Sequence, residues 1–218
     1  MTPVRFLVVA KAPHAGQVKT RLGDEVGHGL AADLAAAALL DTLGACRAAA
    51  CPEWCHLALA GDLDGAARES ELRDRLAGWT VLQQRGEGLG ARLVHAHEDL
   101  GPGPVVQIGM DTPQVDGPLL TAVADRLDSS GAVLGPAVDG GWWALGLRDP
   151  RGAFALRDVR MSRPTTGRDT RAALLSAGLD VAEAAELRDV DTAADAVAVA
   201  ATVPSSAFAR AWRAVPVR

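Results

Sequence analysis

Short apolar runs alternate with longer alanine- and leucine-rich segments along this chain. The short runs are bounded by glycine, proline or charged residues, which is typical of buried strands. The strands predicted from them cover residues 5–10, 54–60, 79–84 and 132–135, with a central strand in the run that starts at Val105. The segments predicted to be helices cover residues 29–50, 62–77, 91–100, 117–127, 168–177 and 193–202. This alternation predicts an α/β fold, a three-layer α/β/α sandwich around a mostly parallel central sheet.

The composition fits one domain of this class. The chain has 218 residues, of which 49% are hydrophobic and 4% aromatic, and no repeat or linker divides residues 1–218. A net charge of -5 and a pI near 5.5 argue against a general nucleic-acid-binding protein, which normally has a basic balance. The N-terminal apolar run is too short for a signal peptide, and no run approaches the roughly 20 apolar residues of a membrane helix. We therefore expect a cytoplasmic protein without stable membrane insertion, of unknown oligomeric state.

The central strand delivers a carboxylate to a loop. The sequence Gly-Met-Asp-Thr-Pro, residues 109–113, directly follows its apolar run. In open α/β sheets, ligands bind at the carboxyl ends of the strands. Asp111 is therefore placed to bind a divalent cation or a polar ligand. The alternative is that Asp111 only caps the following turn, because Asp-Thr-Pro also suits a turn.

The first predicted strand leads into the most basic loop of the chain. Lys11, Lys19 and Arg21 lie there, with Pro13 and Gly16 between them. Lysine supplies a point charge and arginine a planar fork that matches phosphate oxygens. The loop is not a Walker A motif, because two residues separate Gly16 from Lys19. The pattern favours a phosphate site over the alternative, a solvated basic loop before a helix.

Three further loops carry candidate ligand-binding residues. Residues 85–90 alternate glycines before a predicted helix, which makes a ligand-facing turn possible. Residues 139–143, Asp-Gly-Gly-Trp-Trp, predict a hairpin-like turn, but their glycines also admit a ligand close to the backbone and a tryptophan can stack on a sugar or base. The hydroxyls of residues 161–167 either cap the next helix or bind the polar groups of an acceptor.

Asp189 and Asp191 form the last candidate pair. In an extended segment, side chains two residues apart project to the same side. Paired carboxylates suit magnesium or manganese that bridges phosphate oxygens. The alternative is an N-cap, because Asp191 and Thr192 precede the helix predicted over 193–202. The two roles are compatible.

Together these motifs resemble those of a bacterial family of uncharacterised glycosyltransferase-like proteins with the glycosyltransferase-A, or nucleotide-diphospho-sugar transferase, fold. That family is similar to the 2-phospholactate guanylyltransferases and, more distantly, to the molybdenum-cofactor guanylyltransferases. The motifs that carry the resemblance span nearly the whole chain: Lys11-Ala12-Pro13 with Gly16, Lys19-Thr20-Arg21-Leu22, Gly109-Met110-Asp111-Thr112-Pro113, Gly135-Pro136-Ala137 with Asp139-Gly140-Gly141-Trp142, and Asp189-Val190-Asp191-Thr192.

The resemblance implies roles for residues of this chain. The nucleotide and its phosphates would be bound by Lys11, Ala12, Gly16, Lys19, Arg21 and Gly88. The divalent cation, Mg²⁺ or Mn²⁺, would be bound by Asp111, Asp189 and Asp191. The sugar or acceptor would lie beside Gly140, Gly141, Trp142, Ser162 and Thr165. The catalytic residues would be Asp111 and Asp139, and we expect Asp139 to be the base for an acceptor hydroxyl.

The chain departs from the family's pattern at two places. Met110 stands where the family usually has a small hydroxyl residue, and Met161-Ser162-Arg163 replaces its usual Trp-Ser-Thr, which puts the acceptor pocket in question.

We expect a metal-dependent enzyme that binds a UDP- or GDP-sugar and transfers the glycosyl group to an acceptor. Two alternatives stay open, because this fold hosts several transfer chemistries. One is a nucleotidylyltransferase that joins a nucleoside triphosphate to a small phosphorylated acid and releases pyrophosphate. The other is a non-catalytic protein that binds nucleotide sugars.

Overall fold

The computed structural model describes residues 3–216. Its strands are β1 (Arg5–Lys11), β2 (Cys55–Ala60), β3 (Thr80–Gln83), β4 (Val105–Ile108), β5 (Ala132–Pro136), β6 (Trp142–Leu147) and β7 (Val181–Glu183). Its α-helices are α1 (Thr20–Val26), α2 (His28–Ala49), α3 (Glu69–Arg75), α4 (Gly88–Glu98), α5 (Gly117–Asp125), α6 (Thr166–Ser176), α7 (Ala193–Thr202) and α8 (Ala207–Arg213). Short 3₁₀ helices cover Pro52–Trp54, Arg126–Asp128 and Pro150–Leu156.

The seven strands form one mixed sheet in the order β3-β2-β1-β4-β6-β5-β7. Only β6 runs against its neighbours, so the expected mostly parallel sheet is confirmed. The strand order reverses between β1 and β4, because β2 follows β1 on one side while β4 lies on the other. Such a switch point leaves a crevice at the carboxyl ends of the two strands.

Helices cover both faces of the sheet, as expected for three layers. On one face, alternate residues of β1 such as Phe6 and Val8 pack with α2, α3 and α5. On the other face, Leu7 packs in a cluster with α4, α6 and the 3₁₀ helix Pro150–Leu156. A third cluster joins α1, α2, α7 and α8 outside the first layer. The two central strands are thereby fixed on both sides.

Helix α2 is long and apolar enough to cross a membrane by length and composition, which the sequence pattern did not lead us to expect. Of the apolar window in this helix, 72% is buried inside the protein. The buried residues are mostly alanine and leucine, and they contact both the sheet and the outer helices. Packing within the fold therefore accounts for the apolar character of α2.

Several boundaries differ from the predicted ones. The helix expected over 62–77 is reduced to α3, and strand β7 and helices α1 and α8 were not predicted. Helix α1 begins at Thr20, inside the segment expected to be a basic loop. Its N-cap is Lys19, with φ 46° and ψ 47°, in the left-handed region. Residues other than glycine adopt this conformation uncommonly.

Candidate functional site

Two cavities open at the carboxyl ends of β1 and β4. Their volumes are about 430 Å³ and about 280 Å³. Lys11, Met110 and Asp111 line both, so the cavities lie side by side and share a wall. The larger cavity is where Asp139 and Asp189 are found, and the smaller one is where Lys19 and Asp191 are found.

Lys19 is the cation at the centre of this arrangement. Its Nζ lies 2.8 Å from Oδ1 of Asp111 and 2.8 Å from Oδ1 of Asp191. The lysine side chain is only 7% exposed, whereas both carboxylates are about two-fifths exposed. Burial alone would lower the pKa of Lys19, but the two ion pairs outweigh burial and raise it. Lys19 is therefore a charged group held between two acids that are distant in sequence.

Arg21 adds a second, more exposed positive charge. Its Nη1 lies 3.8 Å from Oδ2 of Asp191, and its side chain is 79% exposed. An exposed pair at this distance is weak, so the guanidinium is available to another anion. Lys11 lines both cavities and donates its Nζ to the carbonyl oxygen of Gln17 at 2.9 Å.

A backbone hydrogen bond holds the segment that carries Asp189 and Asp191 against Asp111. The N–H of Val190, between the two acids, donates to the carbonyl oxygen of Asp111 at 2.9 Å. The capping role that competed for Asp191 is taken by Thr192, which forms a capping box with Asp195 at the start of α7. The Asp191 carboxylate is thereby left for Lys19. Asp111 likewise pairs with Lys19 rather than only capping its turn.

The chemistry of these carboxylates suits a divalent cation. Burial and then the negative charges of Asp139 and Asp191 raise the pKa of Asp189 to about 6. Oxygen-rich sites with excess negative charge are those that Mg²⁺ and Mn²⁺ prefer. Within residues 3–216, however, no three ligating side chains are already grouped around one point. The ammonium of Lys19 lies between two of the predicted ligands.

Asp139 and the two glycines after it form the turn between β5 and β6, so the predicted hairpin is confirmed. Oδ1 of Asp139 accepts from the N–H of Gly141 at 2.7 Å, and both residues line the larger cavity. Gly140 is outside the lining of both cavities. Its φ is 87°, and a Cβ there would overlap the carbonyl oxygen of Pro164. Gly140 therefore lets two loops approach each other.

The two tryptophans after this turn both line the larger cavity. Trp143 is 3% exposed, packs against Gly135 and donates its indole N–H to the carbonyl oxygen of Ala185 at 2.9 Å. Trp142 is less buried, and its indole N–H donates to Oγ1 of Thr170 at 3.1 Å. Trp143 is thus part of the core, while Trp142 presents a fixed aromatic surface to the cavity.

The loop before α6 contributes Ser162 but not Thr165 to the cavity. Ser162 lines it with φ 58°, in the left-handed region that non-glycine residues rarely adopt. The hydroxyl of Thr165 donates to Asp169 at 2.7 Å, outside the lining of both cavities. The neighbouring Thr166 lines the cavity and orders the loop, since its Oγ1 accepts from the N–H of Arg163 and donates to the carbonyl of Arg160.

Three predicted nucleotide-binding residues lie outside the lining of both cavities. Ala12 is 1% exposed, and its N–H donates to the carbonyl oxygen of Ala60. Gly16 lies in a turn with a φ of 73°, and Gly88 is the first residue of α4 with a φ of 77°. All three shape the loops that carry Lys11, Lys19 and Leu89.

Other cavity-lining residues were missed by the sequence reasoning. Those with polar side chains are Gln84, Arg92, Gln107, Thr112, Arg163 and Thr166. Gln107 carried a visible signal, as a polar residue inside the apolar run of β4; its Oε1 bonds Nε2 of the buried His97 at 2.9 Å. Thr112 is 2% exposed, and its Oγ1 has no hydrogen-bond partner among the described residues. A buried hydroxyl without a protein partner calls for a water, an ion or a ligand atom beside it.

The family profile described as "Uncharacterized protein conserved in bacteria (DUF2064)" matches residues 42–163, more than half of the chain. The chain belongs to DUF2064. The matched segment includes Asp111 and Asp139, whereas Lys19, Asp189 and Asp191 lie outside it. No curated protein matches the chain.

Solved structures give the same fold. This DUF2064 protein is similar to a protein from Desulfovibrio desulfuricans G20 that is provisionally described as a nucleotide-diphospho-sugar transferase. The two are 29% identical with a TM-score of 0.81, over 98% of this chain and 94% of that one. The nucleotide-diphospho-sugar transferase type of fold is thereby confirmed.

Two more distant structures share the fold alone. Rv0371c from Mycobacterium tuberculosis H37Rv, solved in complex with manganese, is 22% identical with a TM-score of 0.52, over 91% of this chain and 98% of that one. The 4-diphosphocytidyl-2C-methyl-D-erythritol synthase from Anaerococcus prevotii DSM 20548 is 14% identical with a TM-score of 0.57, over 92% and 99%. The fold of this chain is thus one that nucleotide-related transferases use.

Proposed function

We propose that this DUF2064 protein is a metal-dependent glycosyltransferase that binds a nucleotide-diphosphate sugar and transfers the glycosyl group to an acceptor. One observation carries the proposal. Lys19 joins Asp111 and Asp191 at the switch point of the sheet, with Arg21 beside them and a cavity of about 430 Å³ next to them. Ligands of open α/β sheets bind at this place.

The proposed donor would occupy both cavities. Its diphosphate would lie near Lys11, Lys19 and Arg21 in the smaller cavity, where positive charge is concentrated. Its sugar would lie in the larger cavity beside Trp142 and Gly141. A Mg²⁺ or Mn²⁺ ion bound by Asp111, Asp189 and Asp191 would neutralise the charge that develops on the leaving diphosphate.

The residues of the chain supply the other parts of the reaction. Lys19 and Arg21 would share the charge of the departing diphosphate, and stabilising such developing charge is usually the largest catalytic contribution. Asp139 would accept the proton of the acceptor hydroxyl, since its carboxylate faces the larger cavity. We propose that the protein is located in the cytoplasm.

The test is incubation of the full chain with labelled UDP- and GDP-sugars, with manganese or with EDTA. We expect binding of at least one donor and release of nucleoside diphosphate on addition of an acceptor mixture. Absence of affinity for every donor, with or without manganese, would contradict the proposal. Tight donor binding without transfer or hydrolysis would instead indicate a non-catalytic nucleotide-sugar-binding protein.

Nucleotidylyl transfer to a small phosphorylated acid is the second candidate. The observation in its favour is the fold shared with the 4-diphosphocytidyl-2C-methyl-D-erythritol synthase, whose name describes a product that carries a diphosphocytidyl group. Arg92 and Arg163 also line the larger cavity, and neither forms an ion pair within residues 3–216, so an acidic acceptor would find cations there. Release of pyrophosphate from a nucleoside triphosphate, rather than of nucleoside diphosphate from a sugar nucleotide, separates the two reactions.

A further inference from the structure

The chain uses lysine at only two positions. Lys11 and Lys19 are its sole lysines, whereas twenty cationic side chains are arginine. Lys11 is the last residue of β1 and Lys19 is the N-cap of α1, and both line the smaller cavity. Lysine differs from arginine in being a compact point charge on a flexible stem, while arginine holds carboxylates through a planar fork. Lys11 and Lys19 thus place flexible point charges at this cavity, beside the guanidinium of Arg21.

Lys19 lies between two of the carboxylates that we propose as metal ligands. Its Nζ lies 2.8 Å from one oxygen of Asp111 and 2.8 Å from one oxygen of Asp191. These are two of the three carboxylates whose chemistry fits a divalent cation. A Mg²⁺ ion binds carboxylate oxygens at about 2.0–2.1 Å and keeps a regular shell around itself. An ion that bridges these two oxygens in the space between them would overlap the ammonium of Lys19.

The smaller cavity offers space for the ammonium of Lys19. The smaller cavity, about 280 Å³, is lined by Lys19 itself together with Thr20, Arg21 and Gln17. This space adjoins the Lys19 side chain, so a change of its side-chain rotamer would direct Nζ away from the carboxylates. The backbone of Lys19 is held in the left-handed region by helix α1, so the residue's anchor does not need to move.

We infer that Lys19 is an exchangeable counter-ion, whose ammonium leaves Asp111 and Asp191 when a divalent cation binds and turns into the smaller cavity. The exchange itself depends only on the described contacts. Its purpose rests on the proposed function, because the anion that would receive the released ammonium is the donor's diphosphate. On this basis the metal and the phosphate site are assembled together: the cation frees the lysine that binds the phosphate.

Lysine labelling of the full chain tests the exchange directly. Reductive methylation with isotopic formaldehyde, read out by peptide mass spectrometry, reports on Lys11 and Lys19 separately. Lys11 is exposed and should react at the same rate with or without Mg²⁺. Lys19 should react slowly in EDTA and about tenfold faster or more in Mg²⁺, because a buried, ion-paired amine reacts only through rare openings. Adding a nucleoside diphosphate with Mg²⁺ should slow the Lys19 reaction again.

Two variants keep the test decisive. In Asp191→Asn, Lys19 loses one partner and should react readily even in EDTA, so its dependence on Mg²⁺ is lost. Asp33→Asn is the matched control, because Asp33 pairs with Arg68 and lies outside the lining of both cavities. It should keep the Mg²⁺ dependence of wild type. Thermal melts of both variants report whether they are folded.

Manganese binding, followed by the loss of the free-ion electron paramagnetic resonance signal, completes the test. Binding of Mn²⁺ to wild type without any change in the Lys19 labelling rate would overturn the inference, and so would the absence of Mn²⁺ binding. Glycosyl transfer that requires Mn²⁺ but occurs without any change in Lys19 labelling would leave the proposed function standing while the exchange fails. Metal-dependent exposure of Lys19 without affinity for any nucleotide would leave the exchange standing while the proposed function fails.

Discussion

The backbone N–H of Val190 donates a 2.9 Å hydrogen bond to the carbonyl oxygen of Asp111. This bond fixes the loop after β7 against the loop after β4. Because Val190 is buried between two acids, it leaves Asp189 at the larger cavity and Asp191 at the smaller one. One hydrogen bond thereby distributes negative charge to both sides of Asp111.

Replacing Asp111 by asparagine tests the centre of the site. Asp111→Asn keeps the shape of the side chain but removes one of the two charges that hold Lys19. We expect turnover in the proposed reaction to fall by about 100-fold or more, as when one well-placed charge-stabilising group is removed. Stability should fall by only about 1–3 kcal/mol, because Asp191 still pairs with the buried lysine. Turnover of a labelled donor and a urea titration measure the two effects.

The control for that variant is Asp33→Asn. It breaks a bidentate pair with Arg68, whose two bonds are 2.7 Å and 2.8 Å long, away from both cavities. It should lower stability to a similar degree and leave turnover unchanged. Equal turnover in Asp111→Asn and wild type would show that the carboxylate has no catalytic role.

Asp189 should make the protein less stable as the pH rises. Burial, followed by the charges of Asp139 and Asp191, raises its pKa from 3.8 to about 6 in the folded state. Between these two values the folded state binds more protons than the unfolded chain, so stability falls with rising pH. The contribution is fully present below pH 3.8 and is lost as the pH rises through about 6.

Comparison with Asp189→Asn isolates this effect. The difference in free energy of unfolding between wild type and the variant should become less favourable to wild type from pH 4 to pH 7, in EDTA. Mg²⁺ at pH 7 should restore stability to wild type more than to the variant, because a bound cation offsets the crowded charge. A difference that does not change with pH would contradict the raised pKa.

The elements of the sheet were predictable because burial imposes a regular pattern. The continuous apolar run of β1 and the helix predicted over 193–202, which matches α7, are both local signals. Strand β7 and helix α8 were missed because three-residue strands and seven-residue helices give too short a pattern. Helix α1 was missed because it begins after Lys19, which adopts the left-handed conformation. Nothing in the surrounding sequence indicates that conformation.

The site was predictable in its residue types but not in its connections. Asp111 at the end of an apolar run and the basic loop after β1 were visible in the sequence. The pairing of Lys19 with both acids was not, since it results from the tertiary contact at Val190. The buried hydroxyl of Thr112 was also invisible, because a threonine before a proline looks like part of an ordinary turn.

Gly140 should tolerate no side chain, for reasons of packing rather than of ligand contact. In Gly140→Ala the new methyl group would meet the backbone of Pro164, at a φ of 87°. Gly178→Ala is a matched control, since it has a φ of 82° and nothing within 4 Å of the added carbon. We expect the control to cost about 1 kcal/mol from backbone strain and Gly140→Ala to cost at least about 2 kcal/mol more. Chemical denaturation measures the loss of stability in both variants. Similar losses would show that the backbone at Pro164 moves away from the added methyl group at little cost.

His97 should contribute an acid-sensitive step beneath the larger cavity. It is fully buried, and its Nε2 lies 2.9 Å from Oε1 of Gln107, which lines that cavity. Burial lowers the pKa of His97 to about 4, although the bond to Gln107 opposes the shift and the charge of Arg5 adds to it. Between pH 6.5 and about 4, His97 therefore binds a proton in the unfolded chain but not in the folded state. Stability is lost as the pH falls through this range. Relative to His97→Asn, wild type should lose about 3 kcal/mol across this range. Urea titrations at pH 7, 5.5 and 4 follow the loss, and parallel curves for the two proteins would mean that His97 is protonated in the folded state.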